Sequence, residues 1–141
     1  MKIANLSCFL VLASVAFGQT GTISAAIEPA LNTGHFGGSA AVALDLSSES
    51  SVSLRAGTGK TVLAGFNSEI VRLTAGDLQF RIHGDLQAGM IGGRAGISTG
   101  LYVPVWSIGK YAVSIGAHLV KAGGVSVYPT VYASVARSWG K

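Results

Sequence analysis

The chain has 141 residues, of which only 11% are Asp, Glu, Lys or Arg, against about 25% in an ordinary soluble domain. Its formal net charge of +4 is small and scattered, which argues against a nucleic-acid partner. Mean hydropathy is +0.51, yet no stretch beyond the N-terminal one could form a transmembrane helix, so the oily residues must be accounted for by strands.

Residues 1–18 read as a cleavable signal peptide. Lys2 supplies a short positive start, Phe9 to Ala16 is an apolar run too short to span a bilayer, and Ala16-Phe17-Gly18 places small residues where a signal peptidase reads. Cys8 falls inside this segment and stands at the wrong end of the apolar run for lipidation. Residues 19–141, the expected single domain, therefore contain no cysteine, which argues against a disulfide-stapled secreted module.

Turn signals then recur at Asn32-Thr33-Gly34, Ser47-Ser48-Glu49-Ser50, Gly57-Thr58-Gly59-Lys60, Asn67-Ser68-Glu69, Ala75-Gly76-Asp77, Gly92-Gly93, Ser107-Ile108-Gly109-Lys110 and Lys121-Ala122-Gly123-Gly124. Between them lie candidate strands near 20–31, 35–46, 51–57, 61–75, 78–91, 94–106, 111–120 and 125–139. The 61–75 segment slips phase at Asn67 to Glu69, so it is either one bulged strand or two short ones. The 51–57 segment is short for a full crossing. Connections of a few residues require antiparallel neighbours. The expected fold is all-β: an antiparallel up-and-down meander closing into a small transmembrane β-barrel of about eight strands.

The alternation from Leu78 to Met90 shows the division of labour. One phase carries Leu78, Phe80, Ile82, Leu86, Ala88 and Met90, and the other Gln79, Arg81, His83, Asp85 and Gln87. Periodicity alone does not say which phase meets water, but residue identity does. Across the chain the polar phase is built from Ser, Gly, Ala, Thr and Tyr with about one charge per strand, where a water-facing sheet would be studded with Lys and Glu. Small groups beside a few large polar ones suit a narrow lumen, whose charges must be paired because they are buried.

The expected lumen network comprises Glu28, Asp45, Arg55, Arg72, Arg81, His83, Asp85, Arg94, Tyr102, His118, Tyr128 and Tyr132. Within it the four arginines are matched against Glu28, Asp45 and Asp85, with the histidines as adjustable donors. Lys60, Lys110 and Lys121 fall in turns. Phe36, Phe66, Phe80, Trp106, Tyr111 and Trp139 lie near strand ends, as interface aromatics would. Eight strands of about 11 residues with links of about 4 need roughly 116 residues, which residues 19–141 accommodate.

With a cleavable signal and an even-numbered, oily-out and polar-in meander, the chain resembles the small outer-membrane β-barrel proteins of diderm bacteria. The resemblance covers residues 19–141 but rests on no family-specific motif. It implies outer-membrane lipid and the barrel-insertion machinery as partners, and a structural or interaction role or a narrow permeation path. Members usually end on an aromatic residue; here Trp139 is followed by Gly140 and Lys141, and Arg137 interrupts the last oily phase. A pore of any width would require the chain to contribute strands to a homo-oligomeric barrel, since eight strands leave room for little but side chains.

Chemistry-bearing motifs are weak. Gly57-Thr58-Gly59-Lys60-Thr61 resembles the end of a phosphate-binding loop but lacks its first glycine, Leu54 standing in that place, and strand-like residues follow it, so a hairpin turn is the better reading. His83 and Asp85 on one polar phase, with His118, read as a buried network in the absence of any nucleophile motif. His35, His83 and His118 show no ligand spacing, and no metal, cofactor or catalytic residue is expected. The competing class is an exported soluble β-sandwich or β-barrel binding module, periplasmic or secreted, with Val and Leu as a dry core.

Overall fold

A computed structural model describes residues 19–30 and 35–140, with the side chains at 29, 30, 35 and 36 outside that description. The predicted signal segment and the Asn32-Thr33-Gly34 turn lie outside the described residues. Eight strands are formed among the described residues: β1 (Gly21–Ala30), β2 (His35–Asp45), β3 (Ser50–Gly57), β4 (Thr61–Ala75), β5 (Leu78–Ile91), β6 (Arg94–Ile108), β7 (Tyr111–Ala122) and β8 (Tyr128–Trp139). Each pairs antiparallel with its sequence neighbour, and β1 pairs with β8 to close the barrel.

The short connections follow from turn chemistry. Gly92 and Gly93 sit at φ 61° and 80°, so both loop residues of the β5–β6 hairpin have the positive φ that matches the twist of the strands it joins, and in the three-residue β3–β4 turn the last two residues, Gly59 and Lys60, are positive as well at φ 68° and 60°. The last predicted strand is shorter than expected: residues 125–127 belong to the connection, and β8 begins at Tyr128.

The 61–75 segment is one strand carried through its phase slip by a bulge. Pairing jumps from Glu69↔His83 to Val71↔Ile82, leaving Ile70 as the extra residue. A second bulge lies between Pro104 and Trp106, with Val105 as its extra residue. Proline is tolerated there because β5–β6 pairing has already ended at His83↔Tyr102, so its missing N–H breaks no bond to β5. In the same way β3–β4 pairing ends at Ser50↔Ser68. The outer halves of β4 and β5, Val71–Ala75 with Leu78–Ile82, therefore project as a two-stranded ribbon beyond the wall, at the end where the chain termini lie.

The polarity of the barrel is inverted. Ile23, Ile27, Phe66, Leu86, Ile97, Leu101, Ile115, Leu119 and Val135 face outward with 44–61% of their surface exposed, whereas Asp85, Gln87, Ser98 and His118 are 2–5% exposed. Among the described residues the buried apolar set is only Val42, Leu63, Val120, Ala122 and Tyr132. A dry Val and Leu core is therefore absent from the interior of the described barrel.

Candidate functional site: the lumen

The inward phase of each strand delivers its polar residues to a continuous layer across the barrel. Asp85 on β5 and His118 on β7 both pair with Gly100 of β6 between them, and their side chains meet over it at 2.7 Å. Gly100 is required there, because a Cβ at that position would run into the His118 ring and the Ala117 carbonyl. His118 stacks on Tyr132 at 4.6 Å between ring centroids, and Tyr132 also touches Tyr102, which stacks on His83 at 4.9 Å. Gly116 leaves the space that the Tyr132 ring occupies.

Arg55 joins this aromatic cluster to the acids. Its guanidinium carbon lies 5.8 Å from the Tyr132 ring centroid, and Nη1 donates to Glu28 at 3.0 Å, while Ser39 donates to the same Glu28 oxygen at 3.2 Å. The chain Ser39, Glu28, Arg55, Tyr132, His118, Asp85 thus crosses the lumen. On one side lies a cavity of about 250 Å³ lined by Glu28, Ser98, His118, Tyr128 and Thr130, and on the other one of about 150 Å³ lined by Asp85, Gln87, Asn67 and Ser114; Ser39 and Arg55 line both. Ser53 Oγ, Arg55 Nε, Asp85 Oδ1, Gln87 Oε1 and Thr130 Oγ1 are buried without a protein hydrogen-bond partner. Polar cavities of this size suit water molecules bridging such groups.

Seven of the residues predicted for the lumen are brought together here: Glu28, Arg55, His83, Asp85, Tyr102, His118 and Tyr132. Tyr128 lines the larger cavity without joining the layer, and Asp45 accepts a 2.6 Å hydrogen bond from Thr20 near the termini. The expected matching of four arginines to Glu28, Asp45 and Asp85 is corrected: Arg55 pairs with Glu28, Asp85 with His118, and Arg72 and Arg81 turn to Glu69. Arg72 and Arg81 sit on the projecting ribbon, their side chains 44% and 46% exposed, and both approach Glu69. Arg94 is exposed and donates to the Gly123 carbonyl.

Glu69, Gln87 and Thr130 were not singled out as members. Glu69 continues the inward alternation of Leu63, Gly65 and Asn67, because the bulge comes only after it, at Ile70, and its side chain, 7% exposed, stands opposite His83. The phase-slip signal was visible, but its direction was not.

The predicted interface aromatics divide unevenly. Phe80, Trp106 and Tyr111 are exposed at the termini end, where Trp139 also lies, its indole N–H donating to the Gln19 carbonyl. Phe66 is exposed on the wall between Val52 and Leu86, two residues before β3–β4 pairing ends at Ser50↔Ser68. The side chain of Phe36 lies outside the described residues.

The molecule is thus a closed, single-chain, antiparallel β-barrel with an oily exterior and a polar, side-chain-filled lumen. Comparison with models of protein families, with curated proteins and with solved structures finds no match to this chain.

Proposed function

We propose that this chain is a small outer-membrane-type barrel whose role is structural or interaction-based, with at most a narrow, water-sized path through its lumen. The observation that carries the reading is the inverted polarity: large aliphatic side chains cover the outside while a carboxylate, an imidazole and an amide are buried inside. Monomeric soluble proteins rarely expose contiguous apolar surface beyond a few hundred Å², whereas lipid covers such a surface without cost. Bilayer lipid and the insertion machinery are then its natural partners.

The lumen layer supports the restriction on transport. With Arg55, Tyr132, His118 and Asp85 packed across it, solutes larger than water meet side chains before they meet the second cavity. No catalytic role is assigned to His83, Asp85 or His118, since the layer uses them as stacking and hydrogen-bonding partners.

The test is extraction. After expression of the full chain in a diderm host, the protein should stay with the envelope fraction through alkaline carbonate and urea washing, and an unheated sample should migrate differently on a gel from a boiled one. The same fold also serves small binding modules, and the cavity of about 250 Å³ is the observation that speaks for one. That second reading requires release into the wash.

A further inference from the structure

The two ends of the barrel are charged differently. At the termini end Arg72, Arg81, Lys110 and Arg137 stand with Asp45, Glu49, Glu69 and Asp77, so the charges balance among the described residues. At the opposite end the turns at 58–60, 92–93 and 123–127, with their flanking strand residues, carry Lys60, Arg94 and Lys121 and no Asp or Glu. The nearest carboxylate, Glu28, is turned into the lumen and held by Arg55 and Ser39.

Lys60 lies in the β3–β4 turn, Arg94 opens β6 and Lys121 is the penultimate residue of β7, and the turns they occupy or flank are knitted together. Gly93 N–H donates to the Lys60 carbonyl at 3.2 Å, linking the β3–β4 and β5–β6 turns, and Arg94 Nη1 donates to the Gly123 carbonyl at 3.0 Å, linking the β5–β6 and β7–β8 turns. Lys121 Nζ donates to the Val125 carbonyl at 2.6 Å. Arg94 and Lys121 each use one side-chain donor in these bonds, of the five and three they have, so both side chains are steadied while most of their donors stay available; Lys60 takes part through its backbone carbonyl, and its ammonium keeps all three donors.

Two further features favour a ligand. Lys60 is the one non-glycine residue with positive φ among the described residues, at 60°. A β-hairpin favours Gly or Asn at such a position, and strain retained there points to a use for the side chain. Lys121 continues the outward row of Ile115, Ala117 and Leu119, which places an ammonium directly above the oily band.

We propose that Lys60, Arg94 and Lys121 form a phosphate-binding arc that holds the headgroups of anionic lipid at the mouth opposite the chain termini. The proposal rests on the membrane reading above. It gives the barrel a defined polarity across the bilayer: aromatic residues at the termini end, and cations facing a phosphate-rich leaflet at the other. The phosphate oxygens accept from the ammonium and guanidinium donors, while the acyl chains lie against Leu119 and its outward neighbours.

The test uses the full chain refolded in vesicles of phosphatidylcholine mixed with phosphatidylglycerol, read by electron paramagnetic resonance of spin-labelled lipid of each headgroup. The expected result is a several-fold preference of the barrel's lipid shell for phosphatidylglycerol. That preference should vanish in Lys60→Gln/Arg94→Gln/Lys121→Gln and persist in Lys110→Gln/Arg137→Gln, with every variant showing the heat-dependent gel shift. Lys60→Gly should weaken the preference while raising the unfolding midpoint. A preference unchanged in the triple variant overturns the proposal and leaves the barrel reading standing. Abolition of the preference by inorganic phosphate makes the arc a free-anion site and overturns the lipid assignment. Failure of the wild-type chain to enter any vesicle overturns the membrane reading itself and the arc with it.

Discussion

Asp85 and His118 meet at 2.7 Å on strands β5 and β7, both side chains only 1% exposed, in a molecule whose aliphatic side chains face outward. In a low-dielectric interior such a pair is kept by mutual hydrogen bonding, and removing one member strands the other. His118→Leu should therefore lower stability by about 3–5 kcal/mol, read from urea unfolding in vesicles. Asp85→Leu/His118→Leu should recover part of that loss. A double variant no better than the sum of the singles would mean that the two residues do not act as a pair.

Gly116 tests the packing of the same layer. A Cβ there would lie 2.6 Å from Tyr132 Cε1 and 2.7 Å from the Leu101 carbonyl oxygen. Overpacking of this kind typically costs about 1–3 kcal/mol, so Gly116→Ala should unfold at lower urea than wild type, and Gly116→Val lower still. Gly38, where the nearest atom to such a Cβ is 3.8 Å away, should accept alanine with little change.

Arg55 lines both cavities, so its side chain is part of the partition between them. Arg55→Ala should raise ion conductance measured in planar bilayers, because truncation opens the layer beside Tyr132. Wild-type conductance should be small or absent. Equal conductance in the two proteins would show that the partition lies elsewhere.

His83 stacks on Tyr102 at the edge of the layer and is half-buried. His83→Ala should remove a ring stack worth about 0.5–1.5 kcal/mol and leave the gel-shift behaviour intact. A role as a catalytic base would instead show as loss of a hydrolytic activity at unchanged stability.

Much of this fold was legible because strand alternation is a local property. The phase assignments around Leu86, Asp85 and Gln87, the turn at Gly92-Gly93 and the slip before Ile70 are all written within a few residues of where they act. Partner choice is different, since it depends on how far each strand is staggered against the next. Nothing near Asp85 in the chain says that His118, two strands away, shares its level. For the same reason Arg72 and Arg81 were expected in the lumen with Arg55. Their phase is inward, but β3 and β6 stop pairing before reaching them, so they lie beyond the wall. Phase tells which side of a sheet a residue takes, and stagger tells whether there is a barrel on that side.

The outward phase bears directly on the solvent around the barrel. Leu101 is 54% exposed, with Tyr102 beside it turned inward. Leu101→Arg should destabilise the vesicle-folded protein by about 2–4 kcal/mol if it lies near mid-bilayer, whereas the same change on a water-facing surface stays within about 0.5 kcal/mol.

The most direct measurement is refolding of the purified chain, residues 19–141, from urea into detergent-free buffer and in parallel into phospholipid vesicles, followed by circular dichroism and the unheated gel shift. A lipid-facing exterior requires β-structure and a shifted band with vesicles, and aggregation in buffer alone. A monodisperse, folded, soluble protein in buffer without lipid would contradict it.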